Sequence, residues 1–157
     1  MLKASKIKPF LWFDTEAEEA AKFYTSVFRN SKMGPVTRYP EGGPRPAGMV
    51  MTAEFELEGL SFVALNGGPE FKFTEAVSFA VGCEDQKEID DYWEKLIAGG
   101  GKPVQCGWLK DRFGLSWQIV PKAWDTYYTD PKRAARVMQV MMKMVKLDLA
   151  ALEAAAK

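Results

Sequence analysis

The 157-residue chain has the length of one ordinary domain, or of two small halves sharing a core. It is 47% hydrophobic and 27% charged, as a globular protein in water is, and its 21 basic and 21 acidic residues cancel, so no overall field selects nucleic acid or an anionic membrane. It contains no histidine, which removes the commonest general base and transition-metal ligand and excludes Ser-His-Asp and Cys-His catalysis.

In chain order, the opening MLKASKIKPFLWFD is basic, but its apolar run is about half the shortest secretory core, and acidic residues follow at once. No run approaches the roughly 20 apolar residues of a membrane span. The expectation is a cytoplasmic protein in which Cys83 and Cys106, which form no CxxC pair, are reduced buried thiols. Ile7–Asp14 reads as a strand. Thr15 and Glu18 form a capping box for a helix whose apolar face is Ala17, Ala20, Ala21, Tyr24, Val27 and Phe28. A short strand near Met33–Tyr39 precedes the breaker-rich loop Pro40–Gly48. Next come a half-buried strand alternating Met49, Met51, Ala53, Phe55 and Leu57 with polar partners, and a shorter apolar strand, Leu60–Asn66. The alternation leaves Glu54 and Glu56 solvated.

The pattern then restarts. EAVSFAVGCED is a strand with Val77, Phe79 and Val81 on one face and Ala76, Ser78 and Ala80 on the other. Asp85 and Glu88 repeat the capping box, Ile89, Tyr92, Trp93, Leu96 and Ile97 mark a helix, and Gly99 stops it. Strands near Pro103–Cys106, Gly107–Lys110 and Leu115–Val120 complete the unit. The order β-α-β-β-β therefore occurs twice, and GLSFVAL from Gly59 is echoed by GLSWQIV from Gly114. After Pro121, DPKRAARVMQVMMKMVKLDLAALEAAA reads as helix, with Asp130 as N-cap and Pro131 at N1. Val137, Met138, Val140, Met141, Met142, Met144 and Val145 cover most of its circumference, so a second subunit is its expected cover.

The duplicated unit resembles the vicinal-oxygen-chelate superfamily of glyoxalase I, bleomycin-resistance proteins and extradiol dioxygenases. PFLWFD, AEEAAKFYTSVF, ALNGGPEFKF, CEDQKEIDDYWEKL, CGWLKDRFGLSWQIVP and the tail RVMQVMMKMVKLDLAALEAA together resemble the PhnB-like group, whose domain is labelled 3-demethylubiquinone-9 3-methyltransferase. The resemblance runs from about Ile7 to the C-terminus. It implies an α+β fold of two βαβββ modules (about 5–68 and 74–122) bending their sheets around a cavity, a C-terminal helical tail (about 130–157), one domain over 1–157, and a homodimer. In metal-dependent relatives the first and last strands of each module supply inward His and Glu ligands. Those positions fall here on Gln118, on Val63 or Ala64, near Lys8 or Phe10, and near Ala76. A single amide cannot hold a transition metal, so neither metal nor other cofactor is expected.

The resemblance turns Gln118 from a chelating position into a neutral hydrogen-bonding one. Phe10 and Trp12 share the parity opposite to Leu11 and Phe13 and are candidates to line the cavity, against simple core packing. Ser78 lies on a small-residue face, Asn66 ends a strand, Phe71 and Phe73 could cover the pocket, and Trp108 could close its mouth. Asp111 with Gly114 reads as turn chemistry. The GGGK at Gly99–Lys102 follows a helix and so lacks the Gly-rich architecture of an S-adenosylmethionine or phosphate loop. The expected function is metal-free binding of a small, partly hydrophobic metabolite, with no nucleic-acid or membrane partner. The alternatives are a glyoxalase- or dioxygenase-like enzyme, or the labelled methyltransferase, acting on a small aromatic or dicarbonyl compound, and a protein whose cavity is vestigial.

Overall fold

The computed structural model describes Leu2 and residues 5–157. The chain divides into two compact units, Met1–Lys72 and Phe73–Lys157. Each is built on one four-stranded mixed sheet, so the fold is α+β.

The first unit runs β1 (Phe10–Phe13), α1 (Ala17–Val27), β2 (Ser31–Arg38), β3 (Val50–Leu57) and β4 (Leu60–Asn66). Its sheet order is β1-β4-β3-β2, with β1 parallel to β4 and the other pairs antiparallel. Alternation along the strands separates two faces. Leu11, Phe13, Ala53, Phe55, Phe62 and Ala64 are buried beneath α1. Tyr24 of α1 stacks on Phe55 at 5.8 Å between ring centroids, and Phe55 on Phe62 at 5.1 Å. Such pairs add about 0.5–1.5 kcal/mol each beyond their area. The helix begins differently from the sequence expectation. Glu16 is the N-cap and makes no side-chain cap; instead the Ala17 N–H donates to Asn66 Oδ1 at 2.8 Å. An acceptor delivered by the sheet replaces the local Thr15–Glu18 box.

The second unit runs β5 (Ser78–Cys83), α2 (Gln86–Ile97), β6 (Lys102–Pro103), β7 (Trp108–Lys110) and β8 (Ser116–Pro121). Its order, β5-β8-β7-β6, repeats that of the first sheet. Here Asp85 caps the helix as expected, the Glu88 N–H donating to Asp85 Oδ1 at 2.8 Å, while Glu88 Oε2 accepts from the N–H of Glu84, one residue before the cap, at 2.6 Å. Leu109, Trp117 and Ile119 are buried on the face covered by Ile89, Trp93 and Leu96 of α2. Gly99, at φ +77°, ends the helix where a side chain would be strained.

The tail is helical but divided, into a 3-10 turn (Trp124–Tyr128), α3 (Pro131–Met141) and α4 (Leu149–Ala156). Asp130 caps α3 through the Arg133 N–H at 2.7 Å. Asp148 caps α4 through the Ala151 N–H, and Gln86 Oε1 accepts the Leu149 N–H at 2.8 Å. These acceptors stabilise a second helix start, and the fold-back gathers Tyr127, Val137, Leu147 and Leu152 into one buried cluster. One continuous helix could not close that cluster on itself. Met138, Met142 and Val145 stay exposed.

Candidate functional site

The face of each sheet turned away from its helix carries most of the sequence candidates. In the second unit, Gln118 pairs with Ala80 on β5 and with Trp108 on β7, so all three side chains share that face. Ser78 is two residues before Ala80 and joins them. Gln118 Nε2 donates to Ser78 Oγ at 2.9 Å, and both side chains are half-buried. Ser116 and Lys110 have the same parity and pair with each other. Lys110 Nζ meets Glu75 Oε1 at 2.5 Å, which draws the Glu75 carboxyl below its ordinary range through that hydrogen bond, a bond to its own backbone and the lysine's charge. Ser116 is buried and its hydroxyl has no hydrogen-bond partner. An unmet buried hydroxyl costs about 1–3 kcal/mol.

In the first unit, Val63 pairs with Phe10 and Glu54 as Gln118 pairs with Ala80 and Trp108. The register thus selects Val63, not Ala64, as the counterpart of Gln118. Phe10 is 62% exposed. Trp12 is half-buried: its Nε1–H donates to the Gly68 carbonyl at 2.8 Å and its ring meets Phe71 edge-on at 4.9 Å. Glu54 is not free in solvent but pairs with Lys8 at 2.8 Å on this face, each side chain about a third exposed. Glu56 is buried beside Lys32. The expectation that both carboxylates are solvated does not hold, because the segment before β1 brings Lys8 to Glu54 and the adjacent strand β2 brings Lys32 to Glu56.

Asn66 lies on the opposite face, beneath α1. Its Oδ1 caps Ala17 and its Nδ2 donates to the Val50 carbonyl at 3.0 Å. Phe73 begins the second unit and is half-buried. Ala76 precedes β5 and is exposed; the β5 residue level with Gln118 is Ala80. Asp111 is buried and accepts from the Phe113 and Leu115 N–H groups and from Trp117 Nε1, which is turn and core chemistry. Ser116 and the Lys8–Glu54 pair were not singled out from sequence. The serine shared by GLSFVAL and GLSWQIV is the signal that marks Ser116.

A separate cavity of about 300 Å³ opens in the second unit where the ends of β5 and β8 meet the tail, lined by Cys83, Lys122, Tyr127 and Glu153 among others. Burial, then Glu88 and Asp85, pushes the Cys83 thiol up to about 12, so it stays protonated and unreactive. Lys122 is engaged by Glu84.

A metal does not fit these residues. Gln118 and its counterpart Val63, with the first-strand residues beside them, Ala80 and Phe10, offer a single amide among carbon side chains, and Ala76 adds no donor. Among the described residues no group of three or more Cys, Asp or Glu side chains is arranged to hold one. S-adenosylmethionine does not fit either, because the sheets are not doubly wound and the Gly99–Gly101 loop leaves a helix instead of opening one.

Residues 5–120 match the model of the 3-demethylubiquinone-9 3-methyltransferase family. The chain belongs to this family. A putative 3-demethylubiquinone-9 3-methyltransferase, a PhnB protein from Bacillus cereus, is 38% identical over 74% of this chain and 99% of its own, with a TM-score of 0.66. Protein PA1353 from Pseudomonas aeruginosa shares the fold at 18% identity over 75% of this chain and 98% of its own, with a TM-score of 0.61. The fosfomycin resistance protein FosX from Listeria monocytogenes does so at 14% identity over 75% and 93%, with a TM-score of 0.50. No curated protein matches. The family match stops at residue 120, short of the expected C-terminal limit, so α3 and α4 lie outside it.

Proposed function

We propose that this family member binds a small, partly hydrophobic molecule without a metal, on the face of the second sheet that carries Gln118. The observation behind this reading is the Gln118–Ser78 hydrogen bond beside Trp108, a neutral polar pair next to an aromatic wall. Binding sites commonly combine apolar surface with a few placed polar groups. The cavity at the tail offers less, since its lysine is paired and its thiol is inert. A thermal-shift screen against metabolites tests the reading, with Gln118→Leu as control. A ligand should raise the melting temperature of the wild type and lose that effect in the folded variant. No shift from any compound, or equal shifts in both proteins, would end the proposal.

The competing reading, an enzyme acting on a small aromatic or dicarbonyl compound, is favoured by one feature. Glu54 stands on the open face of the first sheet with Lys8 beside it, and a half-buried carboxylate can exchange protons. We also propose a cytoplasmic homodimer. Two free thiols suit a reducing compartment, and the exposed Met138, Met142 and Val145 suit a second copy. Light scattering of the wild type and Met142→Lys tests the dimer: a wild-type monomer rejects it.

A further inference from the structure

The cavity where the ends of β5 and β8 meet the tail measures about 300 Å³, room enough for a small molecule. On one side stand Cys83 and Pro121, which pair across β5 and β8 and share the face covered by α2, away from Gln118. The tail supplies the other side. Leu149 and Glu153, one turn apart on α4, share a helix face there. Tyr127 completes the lining and is 7% exposed. Trp124 meets its ring edge-on at 6.0 Å, and Val137, Leu147 and Leu152 pack with it. Among the described residues the Tyr127 hydroxyl nevertheless has no hydrogen-bond partner. The fully sealed side-chain polar atoms that lack one are Arg45 Nε and Ser116 Oγ, so the Tyr127 hydroxyl keeps an opening, and the cavity that it lines is that opening. A buried tyrosine usually finds a partner for its hydroxyl.

The charges around the cavity do not cancel. Lys122 is engaged by Glu84, whereas the exposed Glu153 makes no ion pair among the described residues. The start of α4 is not left to attract an anion, because Gln86 and Asp148 accept the Leu149 and Ala151 N–H groups. Burial, then Glu153, raises the Tyr127 hydroxyl above its ordinary value, and burial, then Glu88 and Asp85, does the same to the Cys83 thiol. Both groups keep their protons and add no charge. One carboxylate is therefore left over beside one unmet hydroxyl.

We propose that this cavity is a second binding site, for a small primary ammonium compound whose N–H groups donate to the Glu153 carboxylate and the Tyr127 hydroxyl oxygen while its apolar part lies against Leu149 and Pro121. The site is distinct from the Gln118 face, and the tail that completes it lies beyond the residues matched by the family. An anion would meet an uncancelled like charge. A neutral alcohol would find the hydroxyl but gain no charge-assisted hydrogen bond from the carboxylate.

The test titrates the full chain with phenethylamine, phenethyl alcohol and phenylacetate, read on the Lys122 and Leu149 backbone amide signals by NMR. Phenethylamine should move both signals and bind about fivefold more tightly than the alcohol, the scale of a partly exposed ion pair. Phenylacetate should leave them in place. Glu153→Gln should erase the advantage of the amine over the alcohol without changing the melting temperature of the free protein. Tyr127→Phe keeps the ring and should weaken the amine by about fivefold, again at an unchanged melting temperature. Gln118→Leu should bind the amine as the wild type does. Equal binding of amine and alcohol, or an advantage that survives Glu153→Gln, overturns the inference. So does Tyr127→Phe if it binds the amine undiminished, as for a hydroxyl that meets only water, or if it melts lower, as for a hydroxyl bonded within the protein. Signals unmoved by phenethylamine, or movement lost in Gln118→Leu, overturn it as well, whereas binding at the Gln118 face is decided separately by the metabolite screen.

Discussion

Trp117 Nε1 donates to Asp111 Oδ2 at 2.9 Å, so an indole six residues away from a turn anchors the carboxylate that shapes it. The other oxygen, Oδ1, accepts from the Phe113 and Leu115 N–H groups at 2.9 and 3.1 Å. Removing a buried acceptor leaves donors unmet at about 1–3 kcal/mol each. Asp111→Ala should therefore lose at least about 3 kcal/mol in urea unfolding. Asp111→Asn, which turns an N–H toward one of the three donors, should lose less but remain clearly destabilised. A loss under about 1 kcal/mol in both would show that the turn holds without the carboxylate.

Asn66 and Thr15 offer an opposed pair of expectations. Asn66 caps α1 and ties β4 to the Val50 carbonyl, so Asn66→Ala should cost about 1–3 kcal/mol. Thr15 lies before the N-cap and does not cap the helix, so Thr15→Ala should stay within about 0.5 kcal/mol. Chemical denaturation of the two variants decides the matter. The reverse order of effects would restore a local capping box and remove the tertiary cap.

Periodicity was legible wherever local side-chain pattern and packing agree. Tyr24, Val27 and the α2 residues Ile89, Trp93 and Leu96 are buried as their spacing demands, and Leu60–Asn66 is a strand over the expected residues. The repeated module was readable because each half carries its own turn and helix signals. What escaped depends on register. Whether Val63 or Ala64 matches Gln118 follows from which residues of β1 and β3 lie beside β4, and the register agrees with the echo of GLSFVAL in GLSWQIV, which sets Val63 against Gln118. Glu54 meets Lys8 across 46 positions, and Asn66 reaches the start of a helix 49 positions earlier. The tail misled because its apolar residues surround a helix only if it stays continuous, whereas Asp148 and Gln86 stabilise a second start.

Gly67 is required by Trp12. A Cβ at Gly67 would lie 2.3–2.5 Å from the indole ring atoms. Gly67→Ala should displace the ring and break its bond to the Gly68 carbonyl. The expected result is a red-shifted, more quenchable tryptophan emission, absent when the same change is made in a Trp12→Phe background. Unaltered emission in Gly67→Ala would mean that the loop, not the ring, yields.

The Cys83 thiol, raised to about 12, makes stability depend on alkaline pH. In the unfolded chain it ionises near 9.0, the value it has before burial and the carboxylates of Glu88 and Asp85 act on it. Between these limits the unfolded state has released a proton that the native state still holds. Stability contributed by the protonated thiol is therefore complete below about 9 and is lost as pH rises toward about 12. Tyr127 and Tyr128, raised chiefly by burial, act in the same direction, so the wild-type slope alone does not isolate the thiol. The comparison is with Cys83→Ala. Its urea midpoint should fall less steeply than that of the wild type across this range, and parallel slopes would show that the thiol is not held protonated. At pH 8.5 a thiol reagent should label half-buried Cys106 in the native protein and Cys83 only after unfolding.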